Sequence, residues 1–356
     1  MNRAFRNLLG FCMGLMTSAV ARGWAYGQAA DGKAFMCPRC GCAHDGTKFT
    51  EPGRCPSCGM ELVQKKMRVA IILYDGVQII DFSGPYEVFG QAGFEVFTVS
   101  ESGKPLSTTM DLRVVPTYSI AQSPVPDVLL VPGGGVDAAL ENAALMTWIR
   151  DMAPKVEHVM SVCNGAFILA AAGLLDGKSA TTFYKLLPQL EKSAKKTTVV
   201  WDKRFVDNGR IVTSAGLSSG IDSALYVVSK IRGLPAAKRV ALHLEYNWDP
   251  DSTYARGALA DMHLPRLRPP EGVLTDLIDT DGDRDQWRVV YRLGSSDAKR
   301  IRQEVDAQLV QAGWKHGRDE GRWSFVDRYG RPWTAQTSVE PDDSKVRVRI
   351  DIHRKG

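Results

Sequence analysis

The stretch that decides the fold reads His158-Val-Met-Ser-Val-Cys163-Asn-Gly-Ala-Phe-Ile-Leu-Ala-Ala-Ala172. An apolar, β-branched run passes here directly into a helical pattern, with Cys163 at the bend and Gly165 relieving crowding just after it. This layout is typical of a nucleophile elbow, in which a sharp turn exposes one side chain at the carboxyl end of a sheet. The helix amino terminus presents free amides and partial positive charge, so we predict that the Cys163 thiolate is favoured over that of a free cysteine. A buried structural cysteine is the alternative at this point.

The chain around the elbow predicts a doubly wound parallel sheet, because short β-branched runs alternate with helical periodicity from Arg68 to about Asn247. The predicted strands are Arg68 to Leu73, Phe94 to Val99, Asp127 to Val131, His158 to Val162 and Arg210 to Thr213. The clearest predicted helices are Val136 to Arg150, Asn164 to Ala172 and Ser219 to Ile231.

Two further features fall on the predicted catalytic edge. The run Val131-Pro-Gly-Gly-Gly135 closes the strand before the elbow, and the unhindered amides of Gly134 and Gly135 are candidates to receive developing negative charge. A plain turn is the alternative for the glycines. Asp81 lies in the predicted loop after the first strand; first and central strands of such sheets end on one edge, so its carboxylate is expected near Cys163. A helix cap is the alternative for Asp81.

Several motifs resemble one known group of proteins. They are Asp81-Phe-Ser-Gly-Pro, Val131-Pro-Gly-Gly-Gly, Ser161-Val-Cys-Asn-Gly, Ala171-Ala-Gly-Leu-Leu, Ala180-Thr-Thr, Ala215-Gly-Leu-Ser-Ser-Gly-Ile-Asp222 and Leu244-Glu-Tyr246. Their order resembles that in the isonitrile hydratases of the ThiJ/PfpI superfamily, which is class I glutamine amidotransferase-like. The same modules form the ligand-sensing halves of certain AraC-type regulators. The resemblance implies a flavodoxin-like sheet over about Arg68 to Tyr246.

The resemblance also implies roles for individual residues. Cys163 is implied as the nucleophile, Asp81 as the general acid or base, and Asn164 as a substrate-binding residue. Gly134 and Gly135 are predicted to bind substrate through their amides, as argued from the glycine run itself. Asn164 stands where the hydratases carry threonine, and Phe183 replaces a histidine. Asn164 also excludes the Cys-His dipeptide of the peptidases in this superfamily, which disfavours proteolysis.

A compact segment in front of the α/β region, residues 35–64, is too poor in apolar residues to fold on a core of its own. It carries two Cys-x-x-Cys knuckles, Cys37 with Cys40 and Cys55 with Cys58, whose spacing lets four thiolates converge on one soft cation. We therefore predict a zinc-ribbon-like module that binds zinc or another soft metal such as copper. A pair of disulfides is the alternative.

The metal ligands of this segment are open to alternatives. Cys42, His44 and Met60 lie close enough in sequence to replace one of the four cysteines. The end of the segment, Pro52 to Leu62, resembles the heavy-metal-binding ribbons found beside copper-transport ATPases and efflux proteins.

The carboxyl-terminal region predicts a small α+β module over residues 284–356, after a linker over residues 249–283 that is rich in proline and charge. Ser296 to Ala312 is an amphipathic helical pattern, and strands are predicted at Trp287 to Leu293 and on both sides of a Tyr329-Gly-Arg-Pro turn. A last strand alternates Val346, Val348, Ile350 and Ile352.

The first 30 residues predict a cleaved signal peptide with a linker, because Arg3 and Arg6 precede an apolar run that small residues follow. The run is too short and too diluted for a stable membrane span, which predicts a periplasmic or secreted protein. The remaining domain is then the α/β region, residues 67–248. The 45 basic and 40 acidic residues are scattered along the 356-residue chain, and this balance predicts no nucleic-acid partner.

These patterns lead to a hypothesis of an exported enzyme that uses Cys163 and Asp81 on a small electrophilic molecule. The α/β domain needs no cofactor for this chemistry, and a homodimer is expected from the resemblance. The rival hypothesis is a non-catalytic sensor of a ligand, redox state or metal, built on the same fold.

Overall fold

A computed structural model describes residues 35–38 and 40–355, so the segment predicted to direct export lies outside the described residues. Three separate hydrophobic cores occur in the described part of the chain. They fall in the cysteine-rich ribbon, in the α/β region and in the carboxyl-terminal module. No helix among residues 35–38 and 40–355 is long and apolar enough to cross a membrane.

The ribbon is a small three-stranded sheet with the order β2-β1-β3. Its strands are β1 Phe35–Met36, β2 Lys48–Phe49 and β3 Val63–Gln64. The buried residues at its centre are Cys37, Cys55 and Leu62. Since two of these three residues are cysteines, the ribbon has almost no apolar core, as its composition predicts.

The α/β region is built on a seven-stranded sheet in which every neighbouring pair is parallel except the edge strand β13, which runs antiparallel to β14. The order is β13-β14-β10-β9-β4-β5-β8. Its strands are β4 Arg68–Ile72, β5 Glu95–Ser100, β8 Tyr118–Ser119, β9 Val128–Val131, β10 His158–Val162, β13 Phe205–Asp207 and β14 Ile211–Ser214. Two minor pairs accompany it: β6 Leu106–Ser107 with β7 Arg113–Val114, and β11 Ser179–Ala180 with β12 Thr198–Val199.

Helices cover this sheet and complete the flavodoxin-like α/β fold that the sequence predicts. They are α1 Ile79–Gln91, α2 Asp137–Glu141, α3 Ala143–Met152, α4 Gly165–Ala171, α5 Leu187–Ser193, α6 Ser218–Arg232 and α7 Leu234–His243. The five principal strand predictions are each confirmed to within one residue at either end. Strand β10, of which four residues are buried, matches its predicted bounds in full.

Two helix predictions need correction. The single helix predicted from Val136 to Arg150 is two helices, because the side chain of Asn142 accepts a hydrogen bond from the amide of Leu145 at 2.9 Å and caps a new helix, α3. Asp81, predicted in a loop, lies in the first turn of α1 instead. Its side chain does not cap that helix, so the cap alternative is also wrong.

The carboxyl-terminal module is a six-stranded antiparallel sheet with helix α8 Ala298–Gln311 packed against it. Its strands are β15 Thr275–Gly282, β16 Gln286–Leu293, β17 Lys315–His316, β18 Arg322–Val326, β19 Pro332–Asp342 and β20 Lys345–Arg354. The alternating face of β20 is buried, as predicted, and so are three tryptophans, Trp314, Trp323 and Trp333.

The segment predicted as a linker over 249–283 is structured, and that prediction is wrong for its last part. Strand β15 pairs antiparallel with β16 at the edge of the carboxyl-terminal sheet. Ala260, earlier in the same segment, is fully buried in the core of this module. The segment from Ala260 onward therefore contributes to the carboxyl-terminal module, whereas Arg256 stacks on Tyr184 of the α/β region.

Candidate active site and metal centre

Cys163 stands directly after β10, at the carboxyl end of the sheet, with helix α4 starting two residues later. Its φ of 56° lies in the left-handed region, which a cysteine adopts only under strain that the surroundings hold in place. The amide of Cys163 donates to the carbonyl of Ser214 at 3.1 Å, which ties the turn to β14. The residue keeps 8% of its surface exposed. This is the nucleophile-elbow geometry that the sequence predicts.

Glycines make the sharp turn sterically possible. A Cβ on Gly165 would lie 2.3 Å from the carbonyl oxygen of Val131, so the helix start can approach β9 only without a side chain there. A Cβ on Gly216 would lie 2.6 Å from the Cβ of Cys163 and 2.9 Å from its sulfur. Gly216 also has a φ of 95°. The backbone of two neighbouring strands therefore closes tightly around the cysteine.

Asp81 reaches the same place from helix α1 and is fully buried. Its Oδ1 accepts a hydrogen bond from the amide of Leu217 at 2.9 Å. Its Oδ2 is buried and makes no hydrogen bond of regular geometry. A Cβ on Gly133 would lie 2.8 Å from this oxygen and 2.7 Å from the Cβ of Cys163, so Gly133, Asp81 and Cys163 converge on one point.

The carboxyl group of Asp81 has a pKa raised to about 6. Burial is the largest cause, and it is partly offset by the Leu217 amide, the Cys163 thiol and the Gly133 amide, which favour the carboxylate. Near neutral pH the carboxylate is thus the main form, and it is ready to take up a proton. A pKa this close to the working pH suits a group that both accepts and returns a proton.

The pKa of the Cys163 thiol is raised, chiefly by burial and then by the negative charge of Asp81. The backbone amide of Asn164, which donates to the sulfur, lowers the pKa of Cys163 by a smaller amount. The prediction of a favoured thiolate, made from the helix amino terminus alone, is therefore wrong for the resting protein. The resting pair is a thiol beside a carboxylate that can take its proton.

Asn164 joins the elbow to the glycine run. Its Oδ1 accepts from the amide of Gly134 at 2.8 Å, and its Nδ2 donates to the carbonyl of Gly134 at 2.7 Å. The amide of Gly135 donates to the carbonyl of Gly76 at 2.8 Å. The two glycine amides that were expected to be unhindered thus have protein acceptors in this structure. A substrate-binding role for Asn164, Gly134 and Gly135 stays a prediction.

Sequence reasoning missed three residues around the pair. Leu217 supplies the amide that holds Asp81, at a φ of 51°. The Thr182 hydroxyl donates to the carbonyl of Cys163 at 2.9 Å. The Tyr74 hydroxyl donates to the carbonyl of Pro132 at 2.8 Å, and burial first, then Asp81 and Cys163, raises its pKa well above the ordinary value. Thr182 and Leu217 lie in motifs that the sequence singled out, but Tyr74 carried no signal.

An ion pair braces the turn that carries Leu217. Arg204 Nε donates to Asp222 Oδ2 at 2.5 Å, and its Nη2 donates to Ser218 at 3.2 Å. Tyr246 donates its hydroxyl to the other oxygen of Asp222 at 3.0 Å. The carbonyl of Arg204 also accepts from Ala215 at 2.8 Å. The network thus contacts the chain on both sides of Gly216 and Leu217.

The ribbon gathers five cysteine sulfurs. All five are free thiols, so the disulfide alternative does not occur in this structure. The Sγ of Cys37 lies 3.6 Å from that of Cys40, 3.7 Å from that of Cys42 and 3.4 Å from that of Cys58, and Cys42 lies 3.8 Å from Cys55. A zinc ion with sulfur at about 2.3 Å has tetrahedral edges of about 3.8 Å. The spacing therefore fits a thiolate-bound metal.

The sulfurs that could hold a metal form two groups, and neither has all four predicted members. Cys37, Cys42, Cys55 and Cys58 form a four-ligand group with every sulfur within 4.8 Å of the others, and Cys40 falls in a second group with Cys37, Cys42 and Asp45. Cys42, treated only as a substitute from the sequence, is thus in both groups, and Cys40, whose Sγ lies 3.7 Å from that of Cys58, stays a candidate ligand. Knuckle spacing could not reveal this, because the close approach depends on how the two knuckles face each other.

The ribbon lies at the amino-terminal ends of the strands of the seven-stranded sheet, whereas Cys163 lies at their carboxyl-terminal ends. Lys65 pairs with Asp127, which precedes β9, and with Glu157, which precedes β10, the latter at 3.8 Å; Lys48 also pairs with Glu157. These contacts mark the amino-terminal ends of the strands, and the five-residue strand β10 spans about 16 Å from end to end. Metal in this ribbon is therefore remote from Cys163 of the same chain.

Two family models match the chain. The DJ-1/PfpI family matches residues 67–230, which contain Asp81 and Cys163. The heavy metal binding domain matches residues 35–65, which contain all five ribbon cysteines. The two matches follow the division between ribbon and α/β region.

Individual proteins similar to the chain come from both bacteria and animals. Isonitrile hydratase of Pseudomonas putida is 33% identical over 225 residues, which are 60% of this chain and 95% of that protein. Protein dj-1beta of Drosophila melanogaster is 28% identical over 184 residues, which are 50% of this chain and 97% of that protein. A solved THiJ/PfpI family protein from Pseudomonas syringae has a TM-score of 0.49 and 30% identity over 53% of this chain and 78% of its own.

Proposed function

The chain belongs to the DJ-1/PfpI family, and from that premise we propose that it is an isonitrile hydratase-like hydro-lyase that uses Cys163 as nucleophile on a small electrophilic carbon compound. The observation that carries the proposal is the position of Asp81 Oδ2, a buried oxygen next to the Cys163 thiol. A buried carboxylate oxygen without a regular hydrogen bond is costly to the fold, and here it lies beside the one thiol of the elbow. In the proposed mechanism this oxygen accepts the thiol proton.

The first proposed step adds the thiol to the isonitrile R-NC. As the sulfur of Cys163 bonds to the terminal carbon, its proton passes to Oδ2 of Asp81 and from there to the same carbon. The product of the step is a thioimidate, R-N=CH-S, on Cys163. Asp81 leaves the step as a carboxylate, as it entered.

The second proposed step releases the product with water. Asp81 takes a proton from water as the water oxygen bonds to the thioimidate carbon, and it passes that proton to the nitrogen. The carbon-sulfur bond then breaks, Asp81 carries the proton of the new hydroxyl to the sulfur, and the N-substituted formamide R-NH-CHO leaves. One water is consumed for each isonitrile, so the atoms balance without an oxidant or a cofactor.

The direct test is a steady-state assay of formamide production with a panel of small alkyl and aryl isonitriles. We expect the purified protein to turn over at least one of them, with Cys163→Ala at the uncatalysed rate. Asp81→Asn should lose about two to four orders of magnitude in kcat, the usual contribution of a general acid or base. A wild-type rate equal to that of Cys163→Ala would remove the hydratase proposal.

The rival function is a sensor of a ligand, redox state or metal, and the thiol cluster of the ribbon is the observation that favours it. Tight binding of an isonitrile without turnover would favour the sensor.

Export to the periplasm or outside the cell, and assembly as a homodimer, complete the proposal. Export is supported by the amino-terminal sequence pattern alone. Cell fractionation with amino-terminal sequencing of the mature chain tests it, and a full-length cytoplasmic chain would contradict it. Sedimentation equilibrium of the purified protein tests the dimer.

A further inference from the structure

The carboxyl-terminal module contacts the α/β region at two of its loops, residues 181–187 and 200–204. Arg328, in the turn between β18 and β19, lies over the ring of Trp201, with its Cζ 3.9 Å from the ring centre. The guanidinium also donates to Glu191 of α5 at 2.6 Å, and the indole of Trp201 donates to the same carboxylate at 3.0 Å. One arginine of the module thus joins an aromatic ring and a carboxylate of the α/β region.

The chain that leads into the module closes the same interface. A Cβ on Gly257 would lie 2.4 Å from the carbonyl oxygen of Trp201, so the two backbones approach as closely as a glycine allows. Arg256 lies over the ring of Tyr184, with its Cζ 4.5 Å from the ring centre. The carboxylate of Asp261 accepts hydrogen bonds from both Nη atoms of Arg256 and so fixes its guanidinium plane. Each of the two loops therefore has its own contact with this part of the chain.

The first loop reaches the cysteine elbow directly. Thr182 lies two residues before Tyr184 and is fully buried. Its hydroxyl donates to the carbonyl of Cys163 at 2.9 Å. Because Cys163 has a strained φ of 56°, such a hydrogen bond helps to hold the elbow in place. The position of Tyr184 therefore bears on the backbone of the nucleophile.

The second loop reaches Asp81 through the backbone of a neighbouring turn. Arg204 ends this loop, and its carbonyl accepts from the amide of Ala215 at 2.8 Å. Its Nη2 donates to Ser218 at 3.2 Å. These two contacts lie on either side of Leu217, whose amide donates to Asp81. The position of the loop therefore bears on the hydrogen bond that holds Asp81.

We propose that the carboxyl-terminal module is a clamp on the cysteine site, with Gly257 and Arg328 as positioning residues. The clamp keeps both loops against the sheet, so that Cys163 stays shielded and Asp81 keeps the amide of Leu217. Sites of this kind are precise when the residues that support them are themselves locked by packing and hydrogen bonds.

The first test adds one methyl group to the interface of the full chain. Gly257→Ala places a Cβ 2.4 Å from the carbonyl oxygen of Trp201 and forces the two backbones apart. We expect the amide hydrogen of Leu217 to exchange about tenfold faster by NMR, and iodoacetamide to alkylate Cys163 about threefold faster. The control Gly90→Ala adds a methyl group with no described atom within 4 Å and should leave both rates unchanged.

Arg328 provides a second variant, which adds no steric conflict. Arg328→Ala removes the cation over Trp201 and should raise both rates about threefold. Arg328→Lys keeps a cation beside Glu191 and should restore rates close to those of the wild type. Wild-type rates in both Gly257→Ala and Arg328→Ala would overturn the proposal.

A general loss of stability is tested by Ile149→Val, which truncates a fully buried side chain of α3 and changes neither loop. It should leave both rates unchanged, because we expect Leu217 to exchange through local opening and not through unfolding of the sheet. Equal acceleration in Ile149→Val and Gly257→Ala would overturn the clamp, since both rates would then report the stability of the whole domain. Neither readout uses an isonitrile, so the outcome is independent of the proposed hydratase.

Discussion

The amide of Leu217 donates to the carboxylate of Asp81 at 2.9 Å, although the two residues lie 136 positions apart in the chain. Leu217 makes this contact at a φ of 51° and a ψ of −127°, a conformation that costs a leucine energy. Its side chain is 42% exposed, so packing gives little in return. The site uses the backbone amide of Leu217, which holds Asp81, and not its side chain.

Leu217→Gly should therefore stabilise the protein. Relief of strain is worth about 1 to 3 kcal/mol and exceeds the entropy cost of the glycine, so we expect the free energy of unfolding in urea to rise by about 1 kcal/mol. The control is Leu242→Gly, a 79% exposed leucine in helix α7, which should lower the free energy by about 1 kcal/mol. Equal losses in the two variants would refute the strain.

Gly216→Ala should damage the nucleophile directly. Its new methyl group would lie 2.6 Å from the Cβ of Cys163, and the backbone cannot shift without moving the elbow. We expect a loss of about 2 kcal/mol or more in stability and of at least tenfold in the rate of Cys163 alkylation.

The matched control for that change is Gly177→Ala. Gly177 also has a positive φ, 70°, but a Cβ there would meet nothing within 4 Å. It should cost about 1 kcal/mol of stability and leave the alkylation rate unchanged. If both variants slow alkylation equally, crowding at Cys163 is not the cause.

Asp222→Asn should disturb the site from a distance. It leaves the mostly buried guanidinium of Arg204 without its counter-charge, which costs about 3 to 5 kcal/mol for a buried pair. Because the pair braces the Leu217 turn, the pH profile of Cys163 alkylation should shift as well. Asp207→Asn is the control: it breaks a more exposed pair with Lys230, at 2.7 Å, and should cost at most about 1 kcal/mol and leave the profile in place.

The raised pKa of Asp81 makes stability depend on pH in a defined direction. Its pKa is about 6 in the folded protein against 3.8 as the ordinary value, so the folded state holds the proton more tightly. This contribution is fully present below pH 3.8 and is lost as pH rises through 6.

Asp81→Asn should remove the loss of stability that occurs as pH rises. We expect its free energy of unfolding to exceed that of the wild type by up to about 3 kcal/mol at pH 7.5, with the difference shrinking toward pH 4. Urea unfolding at both pH values measures it. A difference that does not change with pH would mean that Asp81 titrates normally in the folded protein.

The elbow and the sheet could be predicted because buried parallel strands appear as apolar runs, as Val128–Val131 and His158–Val162 do. The sequence also predicted that Asp81 lies near Cys163, because the first and central strands of such a sheet end on the same edge. It could not give the pKa of Cys163, because burial and the charge of Asp81 outweigh the helix amino terminus.

Strand β15 escaped prediction for a different reason. All eight of its residues are exposed at a sheet edge, so its sequence, Thr-Asp-Leu-Ile-Asp-Thr-Asp-Gly, shows no buried face. The cap at Asn142 was missed, and Cys42 was given only as an alternative ligand, because each position depends on one local contact. An isolated polar residue or a spare cysteine carries no such information in the sequence.

The most direct test of the account compares two rates in Asp81→Asn: isonitrile turnover and alkylation of Cys163 by iodoacetamide at pH 8. The carboxylate raises the pKa of the thiol, so its removal should speed alkylation, by about tenfold for each unit that the pKa falls, while turnover drops at least a hundredfold. Opposite changes in the two rates are the predicted result. If alkylation slows, or if turnover survives, Asp81 does not control the proton of Cys163.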